Sequence, residues 1–404
     1  LSQPATQQSA DAIAYPHERR TVVSLAGIYL LRLLGMYMVL PVLGLHAAQL
    51  PGATPLLTGL SVGAYGLAQS ALQIPFGVWS DRFGRRRVIA VGLLIFAGGS
   101  VLAAMAPNVA WLVVGRVMQG AGGISAAVVA LLADATRPVF RARAMGILGA
   151  SVGIAFAIGM IAGPGLAARF GVPFLFWLTA GLSVLAALWV ITGVPRPPRH
   201  VHDASVEWTP GHLMEVIKDP GMLRVDLGAF FLHSQVTAMF VVGPRLLTNH
   251  LPQEEHGVVY LVLVPIGLVF MGLTAYFGDR RGLLKQSVLV GVACVAASAF
   301  FLVGGWDNFY GVAAAMGFTI LAVATAEPAA PSIVTHLAND SARGTAAGLY
   351  HMCQFMGSFF GGLVGGYMLD RPEELGVLLI MGSLTWFALA SGLPDLGPGG
   401  VRRD

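Results

Sequence analysis

Gly77-Val78-Trp79-Ser80-Asp81-Arg82-Phe83-Gly84-Arg85-Arg86-Arg87 closes one long apolar stretch and opens the next. Gly77 has no side chain to hold a neighbouring helix away, so another helix is expected to pass close to it. Asp81 is placed to face a helix N-terminus, whose free N–H groups favour negative charge; the start of the eleventh apolar stretch, around Gly344–Thr345, is the expected partner. Arg85 is expected to pair with Asp134, and Arg86 and Arg87 suit anionic headgroups. A loop that needed only positive charge accounts for Arg82 and Arg85–Arg87, but not for Gly77-x-x-x-Asp81 or Gly84.

Outward from this stretch the chain is apolar. Of 404 residues, 56% are hydrophobic and 11% charged, against about 45–50% and about 25% in soluble domains. Such a chain cannot cover itself with polar surface. A soluble enzyme, a disordered scaffold and a nucleic-acid binder are excluded; the net charge of +4 is too small to argue for the last. Crossing a bilayer takes about 20 apolar residues, and stretches of that kind lie at 21–46, 56–79, 87–106, 108–133, 143–167, 172–194, 221–246, 257–278, 285–304, 308–334, 344–369 and 375–393. The continuous runs speak against a β-barrel, whose strands alternate. The expected fold is all-α and integral to the membrane, with twelve transmembrane helices. Residues 1–20 have no apolar core of a cleavable signal peptide, and two cysteines, both in apolar stretches, predict no disulfide framework. With both termini inside, 19 of the 24 Lys and Arg fall on the cytoplasmic side, including Arg196, Arg199, Arg402 and Arg403, and three fall outside. That asymmetry sets the expected orientation.

The polar segment 196–220 divides the spans six and six. Asp81-Arg82-Phe83-Gly84 returns as Asp279-Arg280-Arg281-Gly282, offset by 198, and Arg143-Ala144-Met145-Gly146 has a counterpart in Arg343 through Gly348, offset by 202 at the glycine. Two markers at similar offsets indicate an internal repeat, an arrangement found in transporters. The expected organisation is a tail at 1–20, a six-helix bundle at 21–195, a linker at 196–220, a second bundle at 221–393 and a tail at 394–404. The repeat also places Asp279 near Arg143–Met145, as a weaker counterpart of the Asp81 latch.

The stretch from Gly77 to Arg87 resembles, position for position, the loop between the second and third spans of the major facilitator superfamily. Leu112-x-x-x-Arg116-x-x-Gln119-Gly120-x-Gly122 resembles that family's fourth-span motif. Leu34-Gly35 followed by Pro41-Val42 resembles the first span of twelve-helix drug/proton antiporters, with Gly44 where a proline is usual. Gly159-x-x-x-Gly163-Pro164 resembles the fifth-span antiporter motif, whose closing glycine pair is here Ala167-Ala168. Leu31 through Met36, Met38 through Leu43, Ala130 through Asp134 and Gln354 through Gly357 are similar to the bacterial YajR-type branch, in which a small soluble C-terminal domain can follow the last span. The resemblance implies two six-helix bundles and alternating access. It also implies a conformational latch at Gly77, Asp81, Arg82, Gly84, Arg85, Asp134 and Asp279, a hinge at Gly159, Gly163 and Pro164, and a part for Arg116 in proton coupling.

Ionisable residues within spans are costly and mark function. Arg32 lies near the middle of the first span and Arg116 in the fourth. Glu327 is the carboxylate deepest in any span, beside Pro328 and Pro331, where a kink is expected to make room for water or ligand. A carboxylate in a medium of low dielectric takes up a proton more readily than in water. Proton coupling by Glu327, with His233 and with Arg32 or Arg116 close in one state, is therefore expected; a permanently paired structural Glu327 is the competing account. His351 reads as a packed polar residue and Asp226 as an interfacial one. No zinc spacing, phosphate loop or nucleophile elbow is present, so neither an enzyme nor ATP-driven transport is expected. The expected function is proton-driven export of small hydrophobic or drug-like compounds across a bacterial inner membrane. The expected partners are substrate, protons and lipids, with no metal, cofactor or nucleic acid, in a monomer. A metabolite or sugar facilitator of the same superfamily, and a non-transporting sensor or assembly factor, are the alternatives.

Overall fold

The computed structural model describes residues 17–195, 210–339 and 342–398. The tails at 1–16 and 399–404, most of the linker (196–209) and Arg196, Arg199, Arg402 and Arg403 lie outside the described residues. Fourteen α-helices run through the described chain. The first half holds α1 (Glu18–Gln49), α2 (Pro55–Phe83), α3 (Arg85–Ala104), α4 (Val109–Ala121), α5 (Ser125–Asp134), α6 (Pro138–Phe170) and α7 (Val172–Gly193). The second holds α8 (Pro210–Lys218), α9 (Pro220–Leu247), α10 (His256–Arg281), α11 (Leu284–Gly305), α12 (Phe309–Leu337), α13 (Arg343–Tyr367) and α14 (Pro372–Ser391).

Each expected span coincides with a long helix, the fourth being α4 and α5 joined through Gly122–Ile124. Helix starts follow from local chemistry. Thr54, Asn108, Asp219 and Asn308 each accept a bond from a backbone N–H of the first turn, and proline opens α2, α6, α9 and α14, where a missing N–H costs nothing. Gly84 sits between α2 and α3 with φ +92°, a conformation strained for any residue with a Cβ. The expected break at Pro328 does not divide α12, which runs unbroken for 29 residues.

Ten spans are long and apolar enough to cross a membrane by length and composition. Outside that set are the short α8 and two of the expected spans, α2 and α13, at 29 and 25 residues long enough to cross but diluted by polar side chains. Gln69, Ser70 and Gln73 of α2 and Gln354 of α13 are buried. The pattern inverts that of a soluble protein, as a lipid solvent demands. On α10, Val258, Val262, Val269 and Leu273 face outward, while Val259, Tyr260 and Val264 are buried.

The repeat is visible in the packing. In the first half α1 packs on α6, α3 on α7 and α3 on α4; in the second α9 packs on α13, α11 on α14 and α11 on α12. Helix ends alternate, so the charged loops collect at one end, here termed the basic end. Glu18 binds Arg137 there at 2.9 Å, Arg224 Nη1 donates to the Gly392 carbonyl at 2.6 Å, and Lys285 meets Asp395 at 3.4 Å. Arg86 also donates to the carbonyls of Val190 and Ile191 (3.1 and 2.6 Å), capping the C-terminal turn of α7 rather than standing free for headgroups.

Candidate functional site

The two halves meet from the middle of the helices to the end opposite the basic one. There α2 lies directly on α13. A Cβ built on Gly63 would stand 2.8 Å from the Phe359 carbonyl oxygen, and Gly59 and Gly66 are as tightly placed against Gly362, Gly366 and Phe355. Only glycine permits this approach of two backbones. Ser70 Oγ adds a bond to the Met352 carbonyl at 2.9 Å, and α10 reaches α6 at Gly257, whose built Cβ would lie 2.7 Å from the Ile161 oxygen. Toward the basic end the contact ceases. Nothing lies within 4 Å of a Cβ built on Gly77 of α2, Gly146 and Gly149 of α6, Gly272 of α10 or Gly344 of α13.

In this conformation the expected latch contacts, which belong to a state closed at the basic end, are not made. No helix passes close to Gly77. Asp81 binds Arg85, one turn along, at 2.8 Å and is half exposed; it does not cap α13 at Gly344. Arg85 also pairs with Asp134 and approaches Ser80 Oγ at 3.4 Å, tying α2, α3 and α5 together within one half. Arg82 is exposed beside them. Asp279 binds His336 Nε2 at 2.9 Å, within its own half, rather than the start of α6. The common reason is that the basic ends of α2, α6, α10 and α13 stand apart. Gly159 and Gly163 instead admit Tyr37 and Met38, so they and Pro164 set α6 against α1 inside the first half.

Two polar clusters occupy the interior. In the first half Arg32 is 1% exposed. Its Nη2 donates to Tyr65 Oη at 2.9 Å, and its guanidinium lies 5.0 Å from the Phe96 ring centre. Arg116 donates to the Ser61 carbonyl (3.1 Å) and to Gln119 Oε1 (2.6 Å), and lies 5.2 Å from the Tyr65 ring. Gln119 passes the chain on to Ser100 Oγ at 2.7 Å. An arginine at the centre of a span costs roughly 2.5–3.5 kcal/mol; these partners and aromatic faces offset that cost.

In the second half Glu327 is the centre. Gln354 Nε2 donates to its Oε1 at 2.8 Å, and His233 Nε2 stands 3.5 Å from its Oε2. His233 and Gln354 are 2.9 Å apart, and His351 Nδ1 meets Gln354 Oε1 at 2.8 Å. The Glu327 side chain is about a quarter exposed, but its Oε2 is buried and, among the described residues, has no hydrogen-bond partner. The expected proximity of Arg32 or Arg116 to Glu327 is not found, because both guanidiniums are engaged within their own half. Tyr37 of α1 lies within electrostatic reach of both Arg32 and Glu327. Gln354 and Tyr65 carry no charge, which hid them from a reading that searched spans for ionisable residues; Gln354 stands three residues after His351, on the same face of a helix. Asp226 lies near the basic-end start of α9 and is buried against the protein, 3% exposed.

Residues 25–362 match the family model described as Major Facilitator Superfamily. The chain is 34% identical over 383 residues to the inner membrane transport protein YajR of Escherichia coli, covering 94% of this chain and 84% of that one. It is 28% identical to the multidrug resistance protein MdtH of Photorhabdus laumondii, over 89% of this chain and 91% of the other. Among solved structures, the nucleoside transporter NupG superposes with a TM-score of 0.74 at 16% identity, covering 92% of this chain and 99% of that chain. A bacterial homologue of the lysosomal transporter Spinster gives 0.69 at 17% identity, over 93% and 94%. With the family model spanning most of the helices and the fold shared with solved transporters, the chain belongs to the Major Facilitator Superfamily and is a multi-pass membrane transporter, not an enzyme.

Proposed function

We propose that the chain is a proton-driven antiporter that exports small hydrophobic or drug-like compounds by alternating access, working as a monomer in the inner membrane with its basic end in the cytoplasm. The observation that carries the reading is the Glu327–His233–Gln354 cluster: a carboxylate and an imidazole 3.5 Å apart at the inner surface between the halves. Ionised, Glu327 pairs with a protonated His233 and accepts from Gln354. Protonated, it loses the charge and presents an O–H donor. The two forms weigh differently in states that differ in water access, and a ligand, here the proton, shifts a conformational equilibrium only through such a difference.

The separated basic ends and the glycine contact at the opposite end make this an inward-open state under that orientation. The first-half cluster, with Arg116 as its motif residue, supplies fixed positive charge across the cavity. The relatives named an inner membrane transport protein and a multidrug resistance protein support the location and the substrate class. Lipids are the remaining partner, along the apolar outer faces.

Glu327→Gln mimics the protonated form. Reconstituted in proteoliposomes, it is expected to bind substrate and exchange it down its own gradient, and to lose uphill transport driven by a pH gradient. Full uphill transport by the reconstituted variant would return Glu327 to a structural role and shift the proposal to His233.

A further inference from the structure

The face of α9 that presents His233 continues toward the basic end. Seven residues earlier, two helical turns and about 10 Å along the axis, it presents Asp226. On α13 the face that presents Gln354 presents Tyr350 one turn nearer that end. Both are buried, Asp226 3% and Tyr350 1% exposed, and among the described residues Asp226 Oδ1 and the Tyr350 hydroxyl have no hydrogen-bond partner. Tyr350 lies within electrostatic reach of both Asp226 and Glu327, and Cys353 within reach of Asp226. Tyr350 also lines a small recess with Gly228, Ala229 and Leu232 of α9, Val288 of α11 and Trp386 of α14, apolar but for Tyr350 itself and Arg224.

Among the described residues no ion pair to Asp226 is found. On its own helix, Arg224 is engaged with the Gly392 carbonyl. The titratable groups within electrostatic reach of it are Tyr350 and Cys353 of α13, and Glu327 of α12 lies within reach of Tyr350. An ionised carboxylate without a partner is not kept in such a place; the group takes up a proton and becomes neutral. A neutral carboxyl tolerates burial far better.

We propose that Asp226 is a second proton-binding carboxyl of this transporter, on the basic-end side of Glu327, with Tyr350 standing between the two. As the proton passes, the O–H bond at Glu327 breaks and one forms at Asp226; when it leaves, the Asp226 O–H bond breaks and one forms on a water at the basic end. In this conformation the site holds its proton. Access of water from the basic end decides when it is released, so a proton bound at Glu327 has a resting place on its way out. The proton's route rests on the proton-coupling reading above; the neutral carboxyl at Asp226 rests on geometry alone.

Infrared spectroscopy of the purified full chain in lipid nanodiscs tests both parts. At neutral pH the wild-type protein is expected to show the C=O stretch of a protonated carboxyl, shifted in deuterium oxide. Glu327→Gln is expected to retain it, and adding Asp226→Asn to that variant to remove it. If Asp226→Asn does not yield folded protein, Asp226→Glu is expected to keep the band at a displaced frequency. A Glu327→Gln protein without the band, or a band that neither substitution at 226 alters, overturns the proposal while leaving the reading of Glu327 intact. Conversely, if Glu327→Gln retains pH-driven uphill transport and the band persists, the proton-coupling role of Glu327 fails and Asp226 stands. In transport, Asp226→Asn is expected to lose uphill accumulation and keep downhill exchange; uphill accumulation equal to wild type would show that the buried carboxyl takes no part in coupling.

Discussion

The two ends of the interface between the halves are built from the same residue type to opposite effect. At one end Gly59, Gly63 and Gly66 of α2 meet Gly362 and Gly366 of α13 with backbone on backbone. At the basic end Gly77 and Gly344, on those same two helices, meet nothing within 4 Å. Small residues permit contact at both ends, yet only one is in contact. The glycines at the basic end have no packing role in this state; under the proposed alternating access they are used when the ends close. A rocking motion about the tight end explains both sets with one device, whereas a static bundle has no use for the second.

Substitutions that fill one end or the other break this comparison most severely. Gly59→Val is expected to cost about 1–3 kcal/mol in this conformation, the usual penalty for overpacking, which moves a two-state ratio by about 5- to 150-fold. Gly344→Val meets no atom here and is expected to leave this state unharmed while hindering closure at the basic end. Spin-label distances across each end would read both. Opposite shifts are expected; parallel ones would separate the glycines from any rocking motion.

A smaller effect is expected from the charges at the basic end. Arg85 holds Asp81 and Asp134 together, so Arg85→Ala leaves two neighbouring carboxylates, while Asp81→Asn removes a half-exposed ion pair worth about 1 kcal/mol or less. Arg85→Ala should therefore lower thermal stability more than Asp81→Asn. In the closed state Asp81 is still expected to face α13, so Asp81→Asn should also raise the share of molecules open at the basic end, measured by cysteine cross-linking across it. The smallest change is expected for Asp279→Asn. Its partner is His336, and the second-half loop lacks the triple arginine; a loss of transport equal to that of Asp81→Asn would contradict the ordering.

The chain's amino acids determine the membrane, the helices and the repeat. Each follows from local or periodic facts: twenty-residue apolar runs, polar caps at Thr54, Asn108, Asp219 and Asn308, and an Asp-Arg-x-Gly signature recurring after 198 residues. The costly residues Arg32, Arg116 and Glu327 also stand out by themselves, because charge inside a span is rare enough to notice. Tertiary structure alone decides their partners. Arg32 turns to Tyr65, Arg116 to Gln119, and Glu327 to Gln354 and His233 rather than to an arginine. A hydrogen bond between helices depends on which faces the packing brings together, and neutral partners such as Gln354 carry no mark in the sequence. Which end is open is decided the same way. A glycine in a span is equally suited to contact and to separation, and only the arrangement of the two halves tells them apart.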